Sequence, residues 1–207
     1  MRLIRGLSNL RLLSARADSP LRDGCVVTIG NFDGVHRGHQ TIIDQVREQA
    51  IARGLPSVVM IFEPQPREFF QGADAPPRLT GFRQKFEALL AQGVDIVLCI
   101  RFDEQFRQYS GMGFIDDILV KGLQARHLVI GDDFRFGCDR AGDFELLKQV
   151  GPDAGFTVEK TLTVTVGAER VSSTRVRNAL AAGRLDDAEG LLGRRYAISG
   201  RVVYGRQ

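Results

Sequence analysis

Four short apolar runs, rich in β-branched residues, recur along the first two thirds of the chain. Each run is apolar throughout instead of alternating between apolar and polar positions. Such runs are typical of strands that are buried on both faces of a parallel sheet. The pattern predicts strands at 25–30, 57–62, 95–100 and 127–130.

Helical periodicity separates these runs. Apolar residues recur at three- and four-residue spacing after the first run until Gly54, which predicts a helix over 38–52. We expect Thr80 to cap a second helix that ends near Gly93. The apolar stripes of the three predicted helices are Ile42, Ile43, Val46 and Ala50, then Phe82, Phe86, Leu89 and Leu90, then Phe114, Ile118 and Leu119.

This alternation of strands and helices predicts a doubly wound, Rossmann-like α/β domain with a parallel sheet. Beyond it we expect strand over 156–171 with a turn at Gly167, helices at 172–182 and 185–192, and a last strand over 196–204. A proline-bracketed loop of about fifteen residues follows the second strand, and loops of that length are usually functional.

The composition is that of an ordinary globular chain, with 207 residues of which 43% are hydrophobic and 26% charged. No run approaches the roughly 18 apolar residues of a membrane span, so we expect no contact with a membrane. Three cysteines without C-x-x-C spacing indicate neither a disulfide framework nor a zinc knuckle. We therefore expect a reducing, cytoplasmic environment.

Arginine supplies most of the positive charge, because only four of the 28 basic residues are lysines: Lys85, Lys121, Lys148 and Lys160. Two explanations of this bias are open. One is codon usage; the other is a protein that binds phosphates, whose geometry the guanidinium fork matches. The basic residues form no run and do not alternate with aromatic residues, so nucleic-acid binding is not indicated. Residues 1–19 are rich in arginine and lack an acid before Asp18, as in an organelle transit peptide.

The most informative segment is the loop after the first strand, G-N-F-D-G-V-H-R-G-H over 30–39. His36 and His39 flank Gly38 at the predicted start of a helix, where free backbone N–H groups and the helix dipole favour an anion. Neither a Walker A sequence nor G-x-G-x-x-G is present. We therefore predict a phosphate site. Two alternatives remain: the histidines only form hydrogen bonds with the backbone, or they belong to a zinc site, for which the sequence suggests no third ligand.

This loop and four further blocks resemble the adenylyltransferase module of bacterial bifunctional riboflavin kinase/FAD synthetases, in the H-x-G-H nucleotidylyltransferase superfamily. The similar opening at Arg2–Gly6 argues against a transit peptide. The four blocks are F-E-P-Q-P-R-E-F-F at 62–70, R-L-T at 78–80 with Lys85, G-D-D-F-R-F-G at 131–137 with Gly142 and Asp143, and S-S-T-R-V-R at 172–177.

The resemblance implies Mg²⁺-dependent transfer of AMP from ATP to the phosphate of FMN, giving FAD and pyrophosphate. It implies that His36, His39 and Arg177 are catalytic, with the histidines holding the α- and β-phosphates. FMN already carries a phosphate nucleophile, so alignment and charge neutralisation should account for most of the catalysis. The implied ATP-binding residues are Gly30, Asn31, Phe32, Asp33, Gly38, Asp133, Ser172, Ser173, Thr174 and Arg175.

The proline-bracketed loop is the candidate flavin site. Phe62 offers apolar surface to an isoalloxazine, or serves only the core, and Arg67 could meet the FMN phosphate. The family pattern F-x-P-H-P has Gln65 in place of histidine here, and an amide can donate a hydrogen bond but carries no charge. The expected FMN-binding residues are Phe62, Pro64, Gln65, Pro66, Arg67 and Lys85.

Two further departures from the family pattern concern Asp133 and the end of the chain. Asp133 stands where many relatives have Asn, so it either contacts a ribose or a metal-bound water or only forms an Asx-turn. We expect an adenylyltransferase domain over 1–185, and a linker helix with the first strand of a truncated riboflavin kinase β-barrel over 186–207. Kinase activity is expected only in a longer parent protein, and no protein metal site is expected.

Two other functions remain open from the sequence. One is another H-x-G-H nucleotidylyltransferase, such as a cytidylyltransferase or a pantetheine-phosphate adenylyltransferase. The other is a flavin- or nucleotide-binding module that does not turn over. Flavin binding distinguishes the first alternative, and turnover distinguishes the second.

Overall fold

The four predicted apolar strands lie side by side in one parallel sheet. The computed structural model describes residues 2–131, 133–138, 140–161, 163–201, 203 and 205. The sheet contains β1 (Arg2–Arg5), β2 (Cys25–Ile29), β3 (Ser57–Glu63), β4 (Ile96–Arg101), β5 (Ala125–Ile130) and β6 (Thr157–Lys160), in the order β1-β4-β3-β2-β5-β6. Every neighbouring pair is parallel, which confirms the predicted doubly wound α/β class.

Helices connect the strands and cover both faces of the sheet. They are α1 (Gly6–Ser14), α2 (Arg37–Arg53), α3 (Pro66–Gln71), α4 (Phe82–Ala91), α5 (Gly111–Phe114), α6 (Phe144–Ala154), α7 (Ser173–Ala181) and α8 (Leu185–Leu192). A π-helical segment, Ile115–Val120, continues α5, and β7 (Thr165–Val166) pairs with β8 (Glu169–Arg170) in a hairpin. No helix in the described part of the chain is long and apolar enough to cross a membrane.

Successive residues of the central strands face two different apolar cores. In β3, Met60 packs in a core with residues of α1, the π-helical segment and α6, whereas Val59 and Ile61 pack in another with residues of α2 and α4. A strand that is buried on both faces needs apolar residues at every position. This is the physical reason for the continuous apolar runs in the sequence.

The strand order places a crevice at the carboxyl ends of β2 and β5. The chain runs from β2 through β3 to β4 on one side of the sheet, and from β5 to β6 on the other. The order therefore reverses between β2 and β5, which is where open parallel sheets bind ligands. The loops after these two strands, and the loop after neighbouring β3, frame this position.

Two local predictions were wrong. The segment after β3 is not an irregular loop, because α3 begins there with Pro66 at its first position and Glu68 accepting a hydrogen bond from the Gln65 N–H. Thr80 does not cap α4, whose N-cap is Gly81. The Thr80 hydroxyl instead accepts a hydrogen bond from the Gly34 N–H at 3.1 Å, in the loop after β2.

Besides α3, three further elements were not predicted. The arginine-rich start of the chain forms β1, which pairs with β4 at the edge of the sheet, followed by α1. The third is α6, which begins where the Asp143 side chain accepts a hydrogen bond from the Leu146 N–H. Its last turn contains Gly151 and Pro152, a pair that ordinarily indicates a loop.

The predicted strand over 196–204 is absent from the described residues of that segment, which have no regular secondary structure. Ile198 is 85% exposed, and no neighbouring strand is present in the described chain to pair with its backbone. Asp132, Val202 and Tyr204, which the predictions included, lie outside the described residues. Helix α8, which the predicted division assigns to the linker, shares a small core with α7, and the boundary at 185 stays a prediction.

Candidate active site

The loop after β2 brings its two histidines face to face at the start of α2. His36 is the N-cap of α2, and its Nδ1 accepts a hydrogen bond of 3.3 Å from the His39 N–H. The two imidazole rings are stacked, with their centroids 3.6 Å apart and an interplanar angle of 13°. A side chain at position 38 would approach the His36 ring to 3.3 Å, so Gly38 allows this close packing.

Both imidazoles are neutral in the free protein at neutral pH. Burial lowers the pKa of His36 to about 4, against the opposing charge of Asp33. Burial, reinforced by His36 and Lys85, holds the pKa of His39 well below its usual range. Because His36 Nδ1 accepts a hydrogen bond, the proton of its neutral ring lies on Nε2, which is left as a donor.

The backbone of this loop is held in an uncommon conformation. Phe32 and Val35, neither of which is glycine, have φ angles of 48° and 40°. The left-handed region is unfavourable for a β-branched residue such as Val35, and such strain persists only where surrounding contacts impose it. A Cβ at Gly34 would lie 2.8 Å from the Leu79 side chain, so glycine is also required there.

Those surrounding contacts centre on Asp33. Its buried carboxylate accepts hydrogen bonds from the backbone N–H groups of Leu79 and Thr80 at 3.0 to 3.1 Å. It also pairs with the guanidinium of Arg177, on α7. Arg177 Nε donates to the Pro77 carbonyl oxygen at 2.6 Å. The structure thus brings together Asp33 and Arg177, two predicted site residues from opposite ends of the chain.

The start of α7 lies against the same loop. Ser172 caps the helix by accepting from the Arg175 N–H, and the Ser173 hydroxyl donates to the Asp33 carbonyl oxygen at 2.9 Å. Thr174 is exposed in the first turn. Arg175 contacts the β7–β8 hairpin, donating to the carbonyl oxygens of Val166 and Glu169 at 2.9 Å. The hairpin thereby occupies the Arg175 guanidinium in this state.

The end of β3 carries an aromatic cluster. Phe62 is buried and contacts Phe102 and Phe106 at centroid distances of 5.8 and 5.5 Å, so part of its role is in the core. Phe69 and the exposed Phe70, both on α3, extend the cluster towards solvent. Pro64 and Pro66 flank Gln65 between β3 and α3, and Arg67 is exposed on α3.

A group of charged side chains lies beneath this segment. Arg78 forms ion pairs with Glu63 and Glu68, and Glu68 has a lowered pKa because Arg78 hydrogen-bonds to it. Lys85 is fully buried, and burial lowers the pKa of its amine. Within the described chain, three buried polar atoms here have no hydrogen-bond partner: Lys85 Nζ, Gln65 Nε2 and Glu63 Oε2. Such groups are costly to bury unpaired, so each lacks a partner that the described chain does not supply.

The loop after β5 is more open. Asp133 is 79% exposed, and its carboxylate lies 3.6 Å from the guanidinium of Arg170, the last residue of β8. The positive charge of Arg170 contributes to the lowered pKa of His36, after burial as the main cause. The Asp133 carboxylate is thus solvent-exposed and lies close to the hairpin end.

The candidate site includes residues that the sequence did not predict to be part of it. Thr80 and Arg78 hold the loops after β2 and β3, and Glu63 and Glu68 pair with Arg78. Arg78 and Thr80 belong to the R-L-T block, and Glu63 and Glu68 to the block at 62–70. Their membership of these blocks was the available signal, but only the structure identifies their partners.

Metal-binding residues do not cluster in the described ranges. No group of three or more His, Cys, Asp or Glu side chains among them could hold a metal ion. A cation such as Mg²⁺ commonly keeps several water ligands and binds through one or two carboxylates together with substrate phosphates.

Comparison with known proteins places this geometry in context. A family model described as FAD synthetase matches residues 18–175. A protein of Pseudomonas fluorescens named bifunctional riboflavin kinase/FMN adenylyltransferase is 55% identical over 207 residues, which is 100% of this chain and 64% of the relative. The chain therefore spans less than two thirds of the length of that relative.

Two solved structures are similar in fold. One, described as a macrolide-efflux protein from Streptococcus pneumoniae, has a TM-score of 0.77 and 26% identity over 94% of this chain and 70% of its own. The other is pantoate-β-alanine ligase from Francisella tularensis, complexed with β-γ ATP and β-alanine, with a TM-score of 0.56 and 12% identity over 93% of this chain and 85% of its own. The second likeness concerns the fold alone.

Proposed function

Because the chain belongs to the FAD synthetase family, we propose that it transfers AMP from ATP to FMN, giving FAD and pyrophosphate. An oxygen of the FMN phosphate attacks the α-phosphorus of ATP, and the bond from that phosphorus to the pyrophosphate oxygen breaks. The nucleophile is already ionised, so the protein needs no general base. Its task is to align two anions and to neutralise charge in the transition state.

The stacked pair of His36 and His39 carries this proposal. Neutral imidazoles at the first turn of α2 offer N–H donors together with the backbone N–H groups and the helix dipole. His36 Nε2 is the donor that its hydrogen bond with the His39 N–H leaves available. We place the α- and β-phosphates of ATP at this end of the helix, with Arg177 and the first turn of α7 facing them.

The supporting loop residues and the first turn of α7 complete the proposed nucleotide site. Gly30, Asn31, Phe32 and Gly38 shape the loop. At the start of α7, Thr174 exposes its hydroxyl, while the hydroxyls of Ser172 and Ser173 hold the helix start against the loop. Asp133 faces the same crevice from the loop after β5 and is the proposed contact for the ribose. Arg175 joins the site only if it leaves the hairpin carbonyl groups.

We place FMN at the end of β3. The aromatic cluster of Phe62, Phe69 and Phe70 offers apolar surface for the isoalloxazine, next to the exposed Arg67. The buried, unpaired donors of Lys85 and Gln65 lie beneath the same segment and would receive the FMN phosphate. Mg²⁺ would enter with the ATP phosphates and offset part of their charge.

The test is a flavin conversion assay on the purified chain. FMN is incubated with ATP and MgCl₂, riboflavin is incubated in parallel, and the flavins are separated by chromatography. We expect FAD from FMN. The parallel riboflavin incubation shows whether phosphorylation accompanies adenylyl transfer. No FAD with FMN still bound would identify a binding protein, and no flavin binding would favour another H-x-G-H nucleotidylyltransferase.

Variants of the three histidines make this test specific. Loss of one preorganised donor typically lowers the rate about 10²- to 10³-fold, which we expect for His36→Ala and for His39→Ala. His127→Gln is the control, because His127 lies on β5 against Thr157 and Glu159 of β6. Turnover of the His36 and His39 variants close to that of the parent would contradict the assignment.

A further inference from the structure

The Asp33 carboxylate is fully engaged within the protein. Its side chain is 2% exposed. It accepts hydrogen bonds from Leu79 N–H, Thr80 N–H and the Thr80 hydroxyl, the last at 3.3 Å, and it pairs with Arg177. A carboxylate has about four acceptor sites, so these donors leave little capacity for a ligand. A negative charge at this position also repels phosphate oxygens.

These contacts join three separate segments of the chain. Asp33 lies in the loop after β2, Leu79 and Thr80 lie in the 77–80 segment before α4, and Arg177 lies on α7. Two further bonds close the arrangement: Arg177 Nε donates to Pro77 O at 2.6 Å, and the Ser173 hydroxyl donates to Asp33 O at 2.9 Å. A buried charge pair with satisfied hydrogen bonds fixes the relative position of the segments that carry it.

The Asp33–Arg177 ion pair lies next to the strained part of the loop and close to the histidines. The residue before it, Phe32, and the second residue after it, Val35, both have positive φ angles, and His36 follows directly as the N-cap of α2. Without an anchor, this loop would relax from its unfavourable backbone conformation. The Asp33 contacts therefore determine where His36, and the His39 ring stacked on it, stand relative to Arg177.

We propose that Asp33 is a positioning residue that aligns the two histidines with Arg177, and that it does not itself bind the nucleotide. This inference rests on the proposed function and revises the sequence-based expectation that Asp33 binds ATP. Asp33 orients the donors on α2 through the loop and orients the α7 guanidinium directly. Both sets of donors must face the same phosphates for transfer to occur.

Imidazole NMR tests the positioning without any enzymatic readout. The chain has three histidines, so the ¹H–¹⁵N correlations of their rings are few enough to assign. We expect Asp33→Asn to shift the signals of His36 and His39 and to leave those of His127 in place. Unchanged His36 and His39 signals in folded Asp33→Asn would overturn the proposal, even if the parent makes no FAD.

The matched control is Asp95→Asn, the same substitution at a second structural carboxylate. Asp95 accepts hydrogen bonds from the N–H and hydroxyl of Ser57. Ser57 begins β3 and Asp95 immediately precedes β4, so the pair lies at the amino ends of the strands, opposite the candidate site. Its loss destabilises the fold without touching the site. We expect Asp95→Asn to lower the melting temperature while keeping the His36 and His39 signals and the kcat of the parent.

A double-variant cycle separates positioning from direct binding. At temperatures where all variants are folded, we expect Asp33→Asn and Arg177→Gln each to lower kcat about 10²-fold. Because both act through one arrangement, the double variant should lose much less than the product of the two. Effects on kcat that multiply independently, or a raised KM for ATP with unchanged kcat in Asp33→Asn, would instead identify Asp33 as a direct ligand and overturn the proposal.

Discussion

Lys85 is buried without a hydrogen-bond partner among the described residues, an arrangement that lowers the stability of the fold. Lys85 is 0% exposed, and its Nζ has no hydrogen-bond partner in the described structure. A buried ammonium without a hydrogen-bond partner carries a desolvation cost that an apolar side chain of similar length avoids. Residues of this kind are typical of functional sites, where activity and stability compete.

We therefore expect Lys85→Met to be more stable than the parent by about 1 kcal/mol or more, and to raise the KM for FMN about tenfold. Urea unfolding and initial rates of FAD formation measure the two effects. Lys148→Met, at an exposed position of α6, is the control. It should change the free energy of unfolding by less than about 0.5 kcal/mol and leave the KM for FMN unchanged. A less stable Lys85→Met with unchanged KM for FMN would indicate a purely structural lysine.

The neutral His36 makes stability depend on pH in a defined direction. Its pKa is about 4 in the folded protein and 6.5 in the unfolded chain. As the pH falls from 6.5 to 4, the unfolded chain binds a proton that the folded protein does not, so the folded state loses stability. Below about pH 4 both states are protonated, and this contribution becomes constant.

At 1.36 kcal/mol per pKa unit, His36 accounts for about 3 kcal/mol of destabilisation across this window. We expect His36→Asn to remove that share of the loss, since Asn keeps an N-cap acceptor for the His39 N–H. Urea unfolding of both proteins at pH 7.0, 5.5 and 4.5 provides the measurement, and the difference between them cancels the other titrating groups. Parallel curves for the two proteins would show that His36 does not carry this effect.

At the scale of elements, the sequence predicted the parts of the fold whose signal is local. The strands β2 to β5 are continuous apolar runs, and α2 and α4 have regular apolar stripes. β1 was missed because a four-residue edge strand that begins and ends with arginine has no such pattern. The candidate site divides in the same way: the His36–His39 motif is local, whereas Asp33 and Arg177 are 144 residues apart and meet only through the fold.

The start of the chain provides the prediction at this scale. Leu10 of α1 is 1% exposed and packs in the same core as Leu98 of β4, whereas Leu12 of the same helix is 68% exposed. Truncation of a buried leucine to alanine costs about 2 to 5 kcal/mol, because transfer free energy is lost and a cavity remains. We expect that loss for Leu10→Ala and a change within about 0.5 kcal/mol for Leu12→Ala. Chemical unfolding measures both, and equal effects would mean that α1 does not pack as described.

At the scale of the whole molecule, strand order brings distant segments together at the candidate site. The reversal between β2 and β5 collects the histidine loop, the 77–80 segment, α7 and the hairpin end at a single edge of the sheet. Because these segments are linked through Asp33 and its partners, a nucleotide bound among them should stabilise the entire fold. A ligand that binds only the folded state raises its stability by about 2.7 kcal/mol at one hundred times its dissociation constant.

We expect ATP with MgCl₂ to raise the melting temperature of the parent, and adenosine at the same concentration to raise it much less. The difference arises because the proposed site binds phosphates through His36, His39 and the start of α7, and adenosine has none. In His39→Ala the ATP-dependent shift should shrink, since a phosphate donor is lost, while the melting temperature without ligand remains a separate baseline for each protein. Differential scanning calorimetry over a series of ligand concentrations measures these shifts. Equal stabilisation by ATP and adenosine would show that the protein binds the base and ribose, and that the histidine loop contributes little to nucleotide binding.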